Sequence, residues 1–253
     1  MKREFLDISV IIPTFNGQGS LEELYQRLAN TMNGIKKSYE VIFVDDGSTD
    51  KTFEILKALY YKDKKIRVIR LSKNFGQYSA IFAGMKEMKG RAVVIMDDDL
   101  ENAPEDIPKI LDKIYEGYNF VSGWRKIKNK PLITRRVPSL LLNLLVSFST
   151  GRRVRDFGCG LKAWTRELVE EFVSNREFPP PISLIGRANY IEVPISYNGQ
   201  NTKSKTSLLK LIKNGIKLIS GIMEEKLTLF YRIGKLCNKD RHKCRYTIKE
   251  IIC

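Results

Sequence analysis

Residues 92–96, Ala-Val-Val-Ile-Met, are an apolar run of strand length that stops on three successive carboxylates, Asp97, Asp98 and Asp99. Pro104 then opens an amphipathic segment over residues 105–115. An uninterrupted apolar strand is buried on both faces, which implies a parallel sheet covered by helices. In such sheets ligands bind beyond the carboxyl ends of the strands, so Asp97 and Asp99 project at a binding edge. Two carboxylates so placed suit a hard cation, held by them together with substrate phosphates. An isolated Asp-x-Asp is also compatible with a solvated acidic turn, so the rest of the chain has to decide.

The same construction recurs. Residues 8–15 read as a buried strand ending in Thr14-Phe15-Asn16, and Ser20-Leu-Glu-Glu23 has the form of a capping box opening a helix. Residues 39–44 repeat the strand signal and end in Asp45-Asp46-Gly47-Ser48-Thr49-Asp50, with hydroxyls to cap a helix over 52–60. A strand over 66–71, a helix over 76–88, a strand over 118–124 and a proline-bearing edge strand over 191–195 complete the pattern. The alternation predicts an α/β fold with a mostly parallel central sheet and right-handed crossovers. Polar loops at three strand ends then define one cleft.

Charge is regional. The chain carries +15 over 253 residues, and residues 125–162 hold ten Lys/Arg against one acidic residue. Residues 208–253 hold eleven against four, so nearly all the net charge lies in these two segments. Such segments call for anionic partners: phosphates, anionic lipid or nucleic acid. They lack the interleaved aromatics that stack bases, and nucleic-acid binding leaves the acidic cleft unexplained, so no nucleic acid is expected. No Gly-x-Gly-x-x-Gly or P-loop offers another phosphate cradle, and the lone His242 lies far from the acidic loops. The four cysteines suggest no disulfide scaffold, and Cys237, His242, Cys244 and Cys253 match no usual zinc spacing.

No secretory-type apolar stretch follows the first four residues, and 140–148 is too short to span a bilayer. From Ser207, Leu208, Leu211, Ile212, Ile216, Ile219 and Ile222 share one helical face, with Lys210, Lys213 and Lys217 opposite. The expected organisation is a catalytic domain over 1–206 and a basic amphipathic helical tail over 207–253. Such a helix docks on its domain or lies in a membrane interface.

As a set, IIPTFN, VDDGSTD, NFGQYSAIFAGM, MDDDLENAPEDIP, RDFGCGLKAW and IEVPI, in this order, resemble glycosyltransferase family 2. More narrowly, residues 7–207 are similar to the polyprenyl-phosphate glycosyltransferases, with QYSAIFAGM and DFGCGLKAW most like the undecaprenyl-phosphate aminoarabinose branch. The resemblance implies a GT-A fold and inverting transfer from a nucleotide-diphosphate sugar to dolichyl or undecaprenyl phosphate. It also implies Mg²⁺ or Mn²⁺ and work at the cytoplasmic side of the cell membrane; the basic amphipathic stretch after Ser207 makes peripheral attachment there the expectation, and an oligomer is possible. By position, it implies that Pro13, Phe15 and Asp45 contact the nucleotide, that Asp46 supports their loop, and that Lys205 joins the donor site. Asp97 and Asp99 would hold the metal, with Glu101 beside it where the family usually has Gln. Arg125, Arg135 and Ser139 would bind the acceptor phosphate, and Asp156 with Asp99 would stand at the reacting centre.

A phosphate monoester acceptor is already ionised at neutral pH, so a strong general base is dispensable, and the guanidinium fork matches its geometry. That phosphate clamp argues against a family 2 enzyme that extends a glycan, because a sugar hydroxyl needs none. The chain departs from the family at Asn16-Gly17, where the family has Asn-Glu, and over 198–206, where its usual Arg and Tyr are absent. Those departures leave a donor-binding relic without turnover as a third alternative.

Overall fold

Four largely apolar strands build the centre of the sheet: β1 (Leu6–Thr14), β2 (Tyr39–Asp45), β3 (Ile66–Leu71) and β4 (Gly90–Ile95). They pair in parallel in the order β3-β2-β1-β4 in this computed structural model, which describes residues 5–125, 136–174, 185–197 and 246–252. Helices α1 (Leu21–Gly34), α2 (Thr52–Lys62) and α3 (Gln77–Glu87) make the crossovers. Ile8, Val10 and Ile12 of β1 join a core layer with Leu21, Leu24 and Leu28 of α1 and Phe53 and Leu56 of α2. Ile11 points the other way, into the layer of Ala80, Phe82 and Met85 of α3. Both faces are covered, so most strand positions are apolar and strict alternation is absent; the exceptions, Ser9 and Glu40, are buried and bonded to each other, and Arg67 of β3 pairs with Glu40.

Beyond β4 the direction changes. β5 (Phe120–Arg125), β6 (Lys162–Thr165) and β7 (Tyr190–Ile195) extend the sheet as β4-β6-β5-β7. β6 runs antiparallel to β4 and β5, and β7 runs parallel to β5 at the edge, where Pro194 is tolerated. A 3₁₀ turn over Pro104–Asp106 leads into α4 (Ile107–Tyr115), which packs on β5 and β6 in the same core layer as α1 and α2. α5 (Arg136–Thr150) contributes Val146, and α6 (Arg166–Ser174) contributes Val169 and Phe172, to the opposite layer.

Two local expectations are corrected. The capping box at Ser20 does not form, because the Ser20 hydroxyl donates instead to the Asp98 carbonyl at 2.6 Å. The end of the segment expected to be a helical tail is strand β8 (Ile248–Ile252), antiparallel to β3 at the other sheet edge. The amphipathic stretch from Ser207 lies outside the described residues.

Candidate active site

The strand order reverses between β1 and β4, the place where a crevice opens in doubly wound sheets. The β1–β4 ladder stops at Ile11–Ile95, whereas β1–β2 continues to Thr14–Asp45. Three loops close over this split as one unit. Asp46 N–H donates to Thr14 O at 2.8 Å, Asn16 N–H to Ser48 Oγ at 3.0 Å and Gly17 N–H to Thr52 Oγ1 at 2.9 Å. The Ser20–Asp98 bond ties the start of α1 to the third loop.

Pro13 is buried at the end of β1 and Phe15 is 42% exposed at the rim. Asp45 is fully buried; its Oδ1 accepts Ser48 N–H at 2.9 Å and its Oδ2 lies 3.3 Å from Arg70 Nε. The ion pair with Arg70 is the contact of Oδ2, which is closed off from the surface. Asp46 accepts the N–H groups of Phe75 and Gly76, each at 2.8 Å, and so fixes the start of α3. Burial raises its carboxyl above the usual range, with the two N–H bonds opposing.

At the end of β4, Asp97 Oδ1 accepts from Gln77 Nε2 at 2.6 Å and Asp99 Oδ1 accepts the Glu101 N–H at 3.0 Å. Burial raises both carboxyls, and the charge of Asp99 raises Asp97 further while Lys162 opposes it. Excess negative charge of this kind is what a cation relieves. Each carboxylate keeps its second oxygen available, and space for that of Asp97 is made by Gly160: a Cβ there would lie 2.0 Å from Asp97 Oδ2. Two hard oxygen ligands at the mouth of a crevice fit Mg²⁺ or Mn²⁺ completed by donor phosphates and water. Among the described residues, no group of three His, Cys, Asp or Glu side chains is gathered to hold a metal by itself. Glu101, expected beside the metal, has Oε2 3.4 Å from Arg125 Nη1.

Arg125, at the end of β5, is committed mainly to Asp156. Its Nε donates to Oδ2 at 2.7 Å and its Nη2 to Oδ1 at 2.9 Å, while its backbone N–H reaches Oδ2 at 3.1 Å. Burial works against the guanidinium charge, but the Asp156 contacts outweigh it and raise the pKa above the ordinary value. The fork has five N–H donors, and these side-chain contacts use three, so its outer edge still offers two. Asp156 is 7% exposed and is held by this bidentate pair, at the turn that leads through Gly160 to β6. Arg135 and Lys205 lie outside the described residues, as does the side chain of Ser139 in α5.

Gln77 carries no signal in the sequence, and the glycines of Gly158-Cys159-Gly160 signal only close backbone approach, without naming Asp97 as what approaches. Gln77 and Gly160 sit inside the QYSAIFAGM and DFGCGLKAW segments, but their roles depend on Asp97, far away along the chain. Gly17 has a similar explanation: a Cβ there would lie 2.4 Å from Asp98 Oδ2, so the missing side chain accommodates the middle carboxylate.

The α/β fold, with carboxylates gathered at the switch point, has the GT-A architecture. A family model described as "Glycosyl transferase family 2" matches residues 9–174, and the chain belongs to that family of glycosyltransferases. An undecaprenyl-phosphate 4-deoxy-4-formamido-L-arabinose transferase of Salmonella choleraesuis is 32% identical over 90% of this chain and 71% of its own length. The protein of the same description from Pseudomonas paraeruginosa is 33% identical over 90% of this chain and 68% of its own. Among solved structures, the mannosyl-3-phosphoglycerate synthase of Rubrobacter xylanophilus shares the fold, with TM-score 0.67 and 14% identity over 92% of this chain and 77% of that one. The glucosyl-3-phosphoglycerate synthase of Mycobacterium tuberculosis, solved with Mn²⁺ and UDP-glucose, has TM-score 0.63 and 18% identity over 86% of this chain and 79% of that one.

Proposed function

We propose that this enzyme transfers a sugar from a nucleotide-diphosphate donor to a polyprenyl phosphate, with inversion, at the cytoplasmic face of a membrane. The observation that carries the reading is the run of groups from Asp97, which abuts Gly160, to Arg125, which joins Glu101 to Asp156. A donor-side acidic edge thus stands beside an acceptor-side arginine. The arabinose-transferase relatives support undecaprenyl phosphate as the acceptor class.

On this reading Phe15 covers the base at the rim, with Asp45, paired with Arg70, beneath it at the end of β2. Asp97 and Asp99 hold Mg²⁺ or Mn²⁺, which when bound supplies charge neutralisation to the departing diphosphate. Arg125 holds Asp156 in place through its bidentate contact and turns its two remaining N–H groups to the acceptor phosphate. No protein nucleophile is needed, because the acceptor oxygen is already anionic. The chain's main task is to align two anions that repel each other. Attachment at the membrane surface through the basic segments completes the proposal. The test is a panel of uridine and guanosine diphosphate sugars against undecaprenyl and dolichyl phosphate, read as lipid-linked product. Transfer to a glycan hydroxyl but to neither lipid would overturn the acceptor assignment.

A further inference from the structure

Successive backbone N–H groups of the loop before β6, from Val154 to Phe157, are held by side chains of other elements. Val154 N–H donates to Ser147 Oγ at 2.9 Å and Phe157 N–H to Asn143 Oδ1 at 3.1 Å, both on α5. The two between them go to a single carboxylate. Glu192 Oε2 accepts Arg155 N–H at 2.9 Å, and its Oε1 accepts Arg155 N–H at 3.0 Å and Asp156 N–H at 3.2 Å. Of these acceptors only Glu192 is charged, and a hydrogen bond to an ionised acceptor is roughly twice as strong as a neutral one.

Glu192 lies in β7, in register with Ser122 of β5, and Arg125 stands at the end of that same β5. Two neighbouring parallel strands therefore grip one residue. Arg125 takes the Asp156 carboxylate, and Glu192 takes the Asp156 backbone N–H. Glu192 is itself fixed from the core side by the hydroxyl of buried Tyr190, whose ring packs edge-on against Phe120 with centroids 4.9 Å apart. Any shift of the Asp156 backbone carries its carboxylate along, and the bidentate pair passes that shift to Arg125.

Resting on the acceptor reading above, we propose that Glu192 is a positioning residue of the acceptor side. By holding the Asp156 N–H it sets the place of the Asp156 carboxylate and, through it, the direction in which Arg125 presents its outer N–H groups. The donor side, with Asp97 and Asp99 after β4 and Asp45 at the end of β2, is built on other strands and should feel a change at Glu192 less.

The test uses the full chain, undecaprenyl phosphate and the nucleotide sugar that the parent uses, and reads KM for acceptor and donor separately. Glu192→Ala should raise the acceptor KM about tenfold, the lower end of what losing the group behind a ligating side chain costs at metal sites, with the donor KM within about twofold of the parent. Glu192→Gln, whose amide oxygen still accepts, should recover most of the loss. Glu192→Asp keeps the charge but not the reach and should resemble Glu192→Ala, so it carries the test if that variant does not fold. Ser147→Ala frees the Val154 N–H instead and should leave both constants at the parent's values. An acceptor KM unchanged in Glu192→Ala and Glu192→Asp overturns the proposal, as do equal losses for donor and acceptor. A loss in Ser147→Ala as large as that in Glu192→Ala also overturns it, because general loosening of the loop would then be the cause. Amide exchange over residues 154–157 keeps the two readings apart. Faster exchange there in Glu192→Ala, with no lipid-linked product from the parent, would leave the hold on Asp156 standing and remove the acceptor reading; unchanged exchange in an active parent and variant would remove the hold itself.

Discussion

Gly160→Ala tests whether the Asp97 carboxylate is the working group of the site. The new Cβ would fall 2.0 Å from Asp97 Oδ2, 2.6 Å from its Cγ and 2.9 Å from Asn102 Nδ2. Relief requires the carboxylate to move by about 1 Å, a displacement of the kind that costs about a hundredfold in rate, or about 2.7 kcal/mol of transition-state stabilisation. The 2.6 Å bond from Gln77 would be broken by the same movement. Overpacking adds a folding cost of about 1–3 kcal/mol, which a urea titration measures separately. Gly158→Ala is the control: its nearest neighbours would be Arg125 Nη2 at 3.7 Å and Asp156 Oδ1 at 3.9 Å, ordinary contacts. The assay is turnover against Mg²⁺ and Mn²⁺ concentration for both variants. Gly160→Ala with the parent's rate and metal dependence would refute the reasoning, because the clash is at the proposed ligand.

Asp46→Ala should lower stability by about 2–3 kcal/mol, since two N–H groups at the start of α3 lose a charged acceptor; denaturant midpoints give the value. Arg125→Ala leaves the Asp156 carboxylate buried and uncompensated, a loss of about 3–5 kcal/mol in the folded state. Arg125→Lys should recover only part of this loss, because an ammonium cannot make the bidentate contact. The Cys159 thiol, fully buried, is pushed up to about 11 by burial. It should therefore remain protonated at pH 8 and resist alkylation until the protein is denatured, as peptide mass mapping would show. Native-state labelling of Cys159 at pH 8 would contradict that environment.

The four parallel strands are legible in the sequence because each is covered on both sides, so the core demands short runs rich in apolar and β-branched residues. β6 escapes detection because Lys162–Thr165 is four residues long and pairs antiparallel with partners distant in sequence. β8 escapes because its five residues acquire meaning only beside β3. Ser20 shows a local rule losing to a tertiary one: the capping-box pattern is present, but the Asp98 carbonyl takes the hydroxyl. The carboxylates were readable from their position after an apolar strand. Arg125 was readable only by resemblance, and its bidentate engagement with Asp156 requires the β5–β6 pairing to bring them together. Gly160 and Gln77 act through a distant carboxylate, so residue type and spacing carried no signal for Gln77 and, for Gly160, only that of close backbone approach.

The most direct measurement of the central claim is formation of lipid-linked sugar from undecaprenyl phosphate and the preferred nucleotide sugar, compared between the parent and Asp97→Asn. The parent should form product, stop on chelation and recover when Mg²⁺ or Mn²⁺ is restored, while Asp97→Asn, folded by its melting curve, should form essentially none under any of these conditions. Product formation by Asp97→Asn at the parent's rate, with the same response to chelator, would contradict the account.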